Sequence, residues 1–148
     1  MTQIYFAAPL FSEAELEFNR TLTERFEDKG YSVFLPQRDG IENLDKYAEQ
    51  ENLDSMEEVM EEIFRIDREA VLDSDILIAV LDGQVPDEGV AIEMGIAHEN
   101  DIPIIGLKTD RRIFAESEPL NAMIWGVMSE YTESIDEFFD IVDEYRDD

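Results

Sequence analysis

The sequence predicts an α/β fold, a doubly wound parallel sheet of five strands with helices on both faces. Three observations predict it. Short apolar runs alternate with segments of helical period along nearly the whole chain. The central run, "ILIAVL", is apolar at every position, as a parallel strand covered on both faces requires. The connections are mostly short, so right-handed crossovers are the expected linkage. The 148 residues fit one domain spanning 1–148, long enough to bury a core with over about two-thirds of the unfolded surface removed from water.

The elements follow in order. "IYFAA", Ile4 to Ala8, is the first strand. The helix after it opens at Ser12, whose capping-box partner is Glu15, carries Phe18, Leu22 and Phe26 at i, i+4 spacing, and ends at Gly30. "YSVFLP" is the second strand, stopped by Pro36. From Gln37 to Asp54 the chain is polar and weakly periodic, the pattern of a long functional loop. Ser55 and Glu58 repeat the capping box and open a helix with Val59, Ile63, Ile66 and Ala70 on one side. The third strand runs from Ile76 to Leu81, and the helix "DEGVAIEMGIAHEN" leads to a fourth, "IPIIGL", with Pro103 at its start. "TDRRIFAESEPLNAMIWG" reads as loop plus a short helix and "VMSEY" as the fifth strand. Ser134 and Glu137 cap a last helix through Tyr145.

Composition narrows the function. With 38 Asp plus Glu against 11 Lys plus Arg, the net charge is −27, and without a basic patch no nucleic-acid partner is expected. The acids are spread over nearly every segment beside 44% hydrophobic residues, so the chain folds rather than stays disordered. Such a surface suits concentrated salt, where screening over about 3 Å at 1 M blunts self-repulsion, and a halophilic source is expected. There is no cysteine and only one histidine, His98, so no disulfide, thiolate or multi-histidine metal site is expected, and no cofactor. The first residues, "MTQIYFAAPLF", are too short an apolar run for a signal core or a membrane span. A cytoplasmic protein with no membrane partner is expected.

In doubly wound sheets ligands bind outside the carboxyl ends of the strands, near the switch in strand order. Tyr5 on the first strand, Gln37 to Asp39 after the second, Asp82 to Glu93 after the third and Lys108 to Arg112 after the fourth therefore converge on one edge. In "PDEGVAIEMG" the residues Gly89, Ala91 and Gly95 are small, which lets a ligand approach and Glu93 project into a pocket; the plainer alternative is a solvated helix acid. Asp87 and Glu88 stand where helix amides favour an acid, worth roughly 0.3–1 kcal/mol, so capping alone explains one of them. Asp67 interrupts the apolar side of its helix, with Arg65 or Arg68 as available partners. Tyr5 reads as a core aromatic whose hydroxyl finds one partner.

Taken together, "IYFAAPLF", "IDREAVLDSDILIAVLDG", "PDEGVAIEMGIA" and "PLNAMIWGV" resemble, in order and spacing, the nucleoside 2-deoxyribosyltransferase family from Ile4 to about Tyr131. The pattern P-D-x-G-x-A-x-E-x-G and the "N-x-M-x-W-G-V" of Asn121 to Val127 carry the resemblance most specifically. It implies a flavodoxin-like fold and a homo-oligomer with shared active sites, dimer-based, with tetramers or hexamers among the forms. It implies Glu93 as catalytic nucleophile, Asp87 as a nucleoside-binding acid, Asp67 as the group that handles the base and its proton, Tyr5 as the residue orienting the nucleophile, and Asn121 and Met123 as residues supplied by an adjacent subunit. Gly89 belongs to the same substrate-binding motif. Glu88 and Val90 depart from the commoner choices of the family.

The implied reaction moves 2-deoxyribose from a 2′-deoxynucleoside to a free nucleobase. A carboxylate below the sugar carbon forms a covalent glycosyl-enzyme, and an acid near the leaving base assists departure by about 10²- to 10⁴-fold. Met123 and Trp125 suit an apolar roof that keeps water away. The "PQRDG" loop is placed to reach the base edge, with Gln37 or Asp39 as hydrogen-bonding residues. The nearest rival is a 2′-deoxynucleoside 5′-monophosphate N-hydrolase, or a nucleoside hydrolase. A phosphate needs donors or cations after the first strand, where this chain reads "AAPLFSEAELE". Phosphoribohydrolases of the lonely-guy type are disfavoured by the missing double-glycine loop. A non-catalytic nucleoside-binding or assembly module is the remaining alternative, and a damaged site would mark it.

Overall fold

The computed structural model describes residues 1–41 and 44–146. Its order is β1 (Gln3–Ala7), α1 (Glu13–Asp28), β2 (Ser32–Phe34), α2 (Pro36–Asp39), α3 (Leu44–Gln50), α4 (Met56–Leu72), β3 (Ile76–Val80), α5 (Glu88–Glu99), β4 (Ile104–Leu107), α6 (Ala122–Val127), β5 (Glu130–Thr132) and α7 (Ile135–Glu144). The five strands form one sheet in the order β2-β1-β3-β4-β5, and every neighbouring pair is parallel. This is the flavodoxin-like, doubly wound arrangement expected from the alternation. The order reverses between β1 and β3, which places a crevice at their carboxyl ends.

Alternate residues of the strands feed two cores. Ile4, Phe6, Ile76 and Ile78 pack with Leu22 and Phe26 of α1 and Phe138 and Val142 of α7. On the other face Tyr5, Ala7, Leu77 and Ala79 pack with Val71 of α4, Val90 and Met94 of α5 and Ile124 of α6. Period-two alternation on doubly covered strands thus assigns Tyr5 to the face that carries α4 and α5. At Gly106 a Cβ would collide with the Met128 sulfur and press on Leu81 Cδ1, so the Met128 side chain packs directly over this strand position.

The serine halves of the three expected capping boxes form. Ser12, Ser55 and Ser134 accept from the amides of Glu15, Glu58 and Glu137 at 3.2, 3.2 and 3.3 Å. In α1 and α4 the glutamate reaches one residue further back than the cap, accepting from Phe11 and Asp54 amides. Gly30, at φ +93°, supplies the left-handed residue that ends α1.

Three expectations are corrected. Pro36 does more than stop a strand, because it is the first residue of α2, where its missing N–H costs nothing. The span 37–54 holds the end of α2 and all of α3 rather than a bare loop; residues 42 and 43 of it lie outside the described residues. The fifth strand begins at Glu130, since Val127 closes α6 and only Glu130 to Thr132 pair with β4. Among the described residues no helix is long and apolar enough to cross a membrane.

Candidate active site

A cavity of about 770 Å³ opens at the carboxyl ends of β1, β2 and β3, beside the switch point. Its polar wall holds Gln37, Asp67, Arg68, Asp87 and Glu93, and its rim is apolar, with Phe11, Met60, Phe64 and Ile92 exposed around it. α5 explains how Glu93 reaches it. Gly89, Glu93 and Ile96, at i, i+4 and i+7, face the cavity, while Val90, Met94 and Ala97 face the sheet. Ala91 packs against the core and Gly95 meets open space. Of the three small residues expected beside Glu93, only Gly89 therefore lines the site.

The Tyr5 hydroxyl donates to Glu93 Oε2. Tyr5 is completely buried and its ring stacks on Phe34 with centroids 5.5 Å apart and planes 11° off parallel, so the donor is held by the core. These contacts fit the reading of Tyr5 as a core aromatic whose hydroxyl finds one partner. Glu93 is held up at about 7 chiefly because burial disfavours its charge; the Tyr5 hydrogen bond pulls it down, and the charges of Asp67 and Asp87 push it up. Asp67, on α4, is raised to about 6 by burial alone. Tyr5 is driven well above its ordinary range by burial and by the Glu93 and Asp67 charges, so it stays a donor.

The arginines proposed for Asp67 do not neutralise it. Arg65 pairs with Glu62 and Glu69 on the outer face of α4, and Arg68 is the single cation among the described residues that line the cavity, without an ion pair to any described residue. At Gly40 a Cβ would lie 2.7 Å from the Pro36 carbonyl, so the glycine serves the turn that ends α2, while Asp67 Oδ1 would stay at an ordinary contact of 3.5 Å. Asp87 caps α5, its Oδ2 accepting from the Val90 amide at 3.1 Å, and also lines the cavity. Glu88 points to solvent and Val90 into the core, so neither departure from the family pattern touches the site wall.

Gln37 lines the cavity, with its amide tied to α1. Asp39 is corrected. Its Oδ2 accepts from the Leu35 amide at 2.8 Å and its Oδ1 pairs with Arg38 at 2.9 Å, so it caps α2 and does not line the cavity. Asn121 caps α6 by accepting from the Met123 amide at 2.8 Å. Met123 is 77% exposed and Trp125 58%, and all three lie away from the cavity of their own chain. The Lys108 to Arg112 segment forms a neighbouring network, in which Lys108 binds Asp110 at 2.6 Å and the Gly83 carbonyl at 2.9 Å. It braces the loop that leads to Asp87.

Sequence reasoning missed Arg68, Asn19 and the apolar rim. The rim had a signal: Met56, Met60 and Phe64 form a second i, i+4, i+8 stripe on α4, off the core-facing side. Among the described residues no group of three or more carboxylate or imidazole side chains is arranged to hold a metal ion.

The sequence profile of the nucleoside 2-deoxyribosyltransferase family matches residues 4–136. No curated protein matches the chain. Among solved structures, a conserved protein from Enterococcus faecalis V583 is similar over 98% of this chain and 97% of its own, with 32% identity and a TM-score of 0.76. A 2-deoxyribosyltransferase from Bacillus psychrosaccharolyticus shares 23% identity over 95% of this chain and 90% of its own, TM-score 0.73. A CMP N-glycosidase from Clostridium botulinum shares 19% identity over 96% and 99%, TM-score 0.56; the last two likenesses concern the fold. By the profile match across most of its length, the chain belongs to the nucleoside 2-deoxyribosyltransferase family.

Proposed function

We propose that the protein transfers 2-deoxyribose between nucleobases by double displacement, with Glu93 as nucleophile. The observation that carries this reading is the Tyr5–Glu93 pair set in the wall of a cavity at the switch point. An ionised Glu93 oxygen attacks the anomeric carbon as the glycosidic bond breaks, and the bonding electrons leave with the base, which takes a proton from Asp67. The incoming base then gives its proton to the Asp67 carboxylate and attacks the same carbon, releasing Glu93. Configuration is retained over the two displacements. Tyr5 holds one Glu93 oxygen so that the other faces the sugar, and Asp87 offers a carboxylate to sugar hydroxyls beside Gly89. Asn121, the cap of α6, and Met123, exposed on it, belong to a roof that one subunit lends to its neighbour, slowing hydrolysis of the intermediate.

A second reading, hydrolysis of a nucleotide, draws on Arg68 in the cavity wall and on the fold shared with the CMP N-glycosidase. Three carboxylates share that wall with the one guanidinium, and their field opposes a dianionic phosphate. Incubating deoxyinosine with and without adenine separates the two. Newly formed deoxyadenosine supports transfer. Free hypoxanthine and deoxyribose in equal amounts under both conditions, or turnover of deoxyinosine monophosphate alone, overturns it.

A further inference from the structure

We infer that Asn19 is a positioning residue that, together with the Leu16 carbonyl, fixes which way the Gln37 amide faces, and through it which base edge the cavity accepts. The inference rests on the reading of Gln37 as a base-contacting residue.

Asn19 lies on the inner side of α1 and is only 2% exposed. A buried amide in this setting is costly unless its hydrogens are used. Asn19 Nδ2 donates to the Pro9 carbonyl at 2.9 Å and to Gln37 Oε1 at 3.0 Å. Gln37 Nε2 in turn donates to the Leu16 carbonyl at 2.9 Å. Side-chain amides can turn over and exchange oxygen for nitrogen, but here both ends of the relay are backbone carbonyls, which only accept. The Pro9 oxygen demands a donor from Asn19, and that same nitrogen then demands the oxygen of Gln37. The Leu16 oxygen independently demands the nitrogen of Gln37. Only one orientation satisfies all three bonds.

The relay joins the β1–α1 loop, α1 and α2, three segments that border the cavity. It leaves Gln37 one spare N–H and one spare lone pair, in fixed places, on a residue of the cavity wall. A locked amide distinguishes a base that offers an amino group from one that offers a carbonyl at the same ring position. A freely turning amide serves either. Buried groups left unpaired by the wrong partner are what make such discrimination steep.

The test compares kcat/KM for deoxyadenosine against deoxyinosine, and deoxycytidine against deoxyuridine, followed by base release in the full-length protein. The wild type is expected to favour one member of a pair by about tenfold or more. Asn19→Leu, which removes one of the two ties on Gln37 and leaves the Leu16 bond as its remaining hold, is expected to narrow that ratio by about threefold, chiefly through KM. Asn19→Asp, which can only accept, sets one acceptor against Gln37 Oε1 while the Leu16 carbonyl still holds Gln37 Nε2, and is expected to narrow the ratio at least as much as Asn19→Leu. Asn19→Ser keeps one donor and gives an intermediate ratio, and it serves where Asn19→Leu does not fold. A purely structural tie would lower both substrates of a pair alike and leave the ratio untouched, and that result overturns the inference, as does a wild type without preference. Gln37→Ala separates the two levels. If it leaves the ratio unchanged, the reading of Gln37 fails; if it abolishes the ratio while the Asn19 variants keep it, the role of Asn19 alone fails.

Discussion

Glu93 and Asp67 hold their protons in the wrong order for their proposed tasks, and this has measurable consequences. The nucleophile must be ionised, yet it stands at about 7, while the acid must be protonated, yet it stands at about 6. The productive combination is a minority state, so the pair gives a kcat/KM profile flat between about pH 6 and 7 and falling on both sides. Tyr5→Phe removes the hydrogen bond that favours the charged Glu93. Glu93 then climbs further, the plateau drops about tenfold per unit of that climb, and the alkaline limb moves to higher pH. An unmoved alkaline limb would count against Tyr5 as the orienting donor. Stability responds with the opposite preference. Glu93 is raised above its ordinary 4.5, so its contribution is fully present below pH 4.5 and is lost as pH rises through about 7. Glu93→Gln, which keeps an acceptor for Tyr5, is expected to abolish base exchange and to raise the unfolding free energy at pH 8 but not at pH 4, by on the order of 2 kcal/mol at most. The family resemblance picked Glu93, Asp67 and Asp87 out of 38 acids and set Tyr5 beside them, and the structure brings the three acids to one cavity with Tyr5 bonded to Glu93. Asp39 misled because a carboxylate that caps its own helix has the same sequence signature as one that faces a ligand.

The elements were legible where burial or capping decides the local structure. Ile76–Val80 is buried at every residue, and the serine caps of α1, α4 and α7 form where the spacing places them. The short helices α2 and α3 were not legible, because their few turns carry little apolar periodicity and tertiary contact decides them. The bracing of the β3–α5 loop is likewise a product of the fold. Lys108, 6% exposed, reaches across from β4 to the carbonyls of Leu81 and Gly83, while Asp110 accepts from the Gly83 amide at 2.7 Å. In the other direction Asp82 accepts from the Thr109 and Asp110 amides at 2.6 and 3.1 Å. These reciprocal bonds hold the loop whose far end is Asp87. Lys108→Met keeps the length of the side chain and removes its donors, stranding two carbonyls and a carboxylate. It is expected to cost about 1–3 kcal/mol in urea unfolding and to raise KM more than it lowers kcat, because Asp87 is loosened while Glu93 and Tyr5 stay anchored in the core. A fall in kcat with KM unchanged would argue that the brace does not act through Asp87.

At the scale of the molecule, charge and apolar surface oppose each other. Each chain carries −27, which repels a second copy and strains the folded state, and salt relieves both. The melting temperature is therefore expected to rise between 0.1 and 2 M NaCl, a range given by about the threefold fall in Debye length from 0.1 to 1 M. Two groups stand out among the exposed apolar residues, the cavity rim at Phe11, Met60, Phe64 and Ile92 and the α6 surface at Met123 and Trp125. If α6 of one subunit roofs the cavity of another, association is driven by burying these two groups against an electrostatic penalty. Raising salt should then strengthen the assembly, the reverse of an interface held by ion pairs. Sedimentation velocity across the same salt series reads this directly, and dissociation at high salt would rule out the apolar roof. Met123→Asp is expected to shift the protein toward monomer and to increase water capture relative to base exchange, since the intermediate on Glu93 loses its cover. Association intact in Met123→Asp with unchanged partition would place the contact elsewhere, whereas loss of association with unchanged partition would show that each subunit shields its own intermediate.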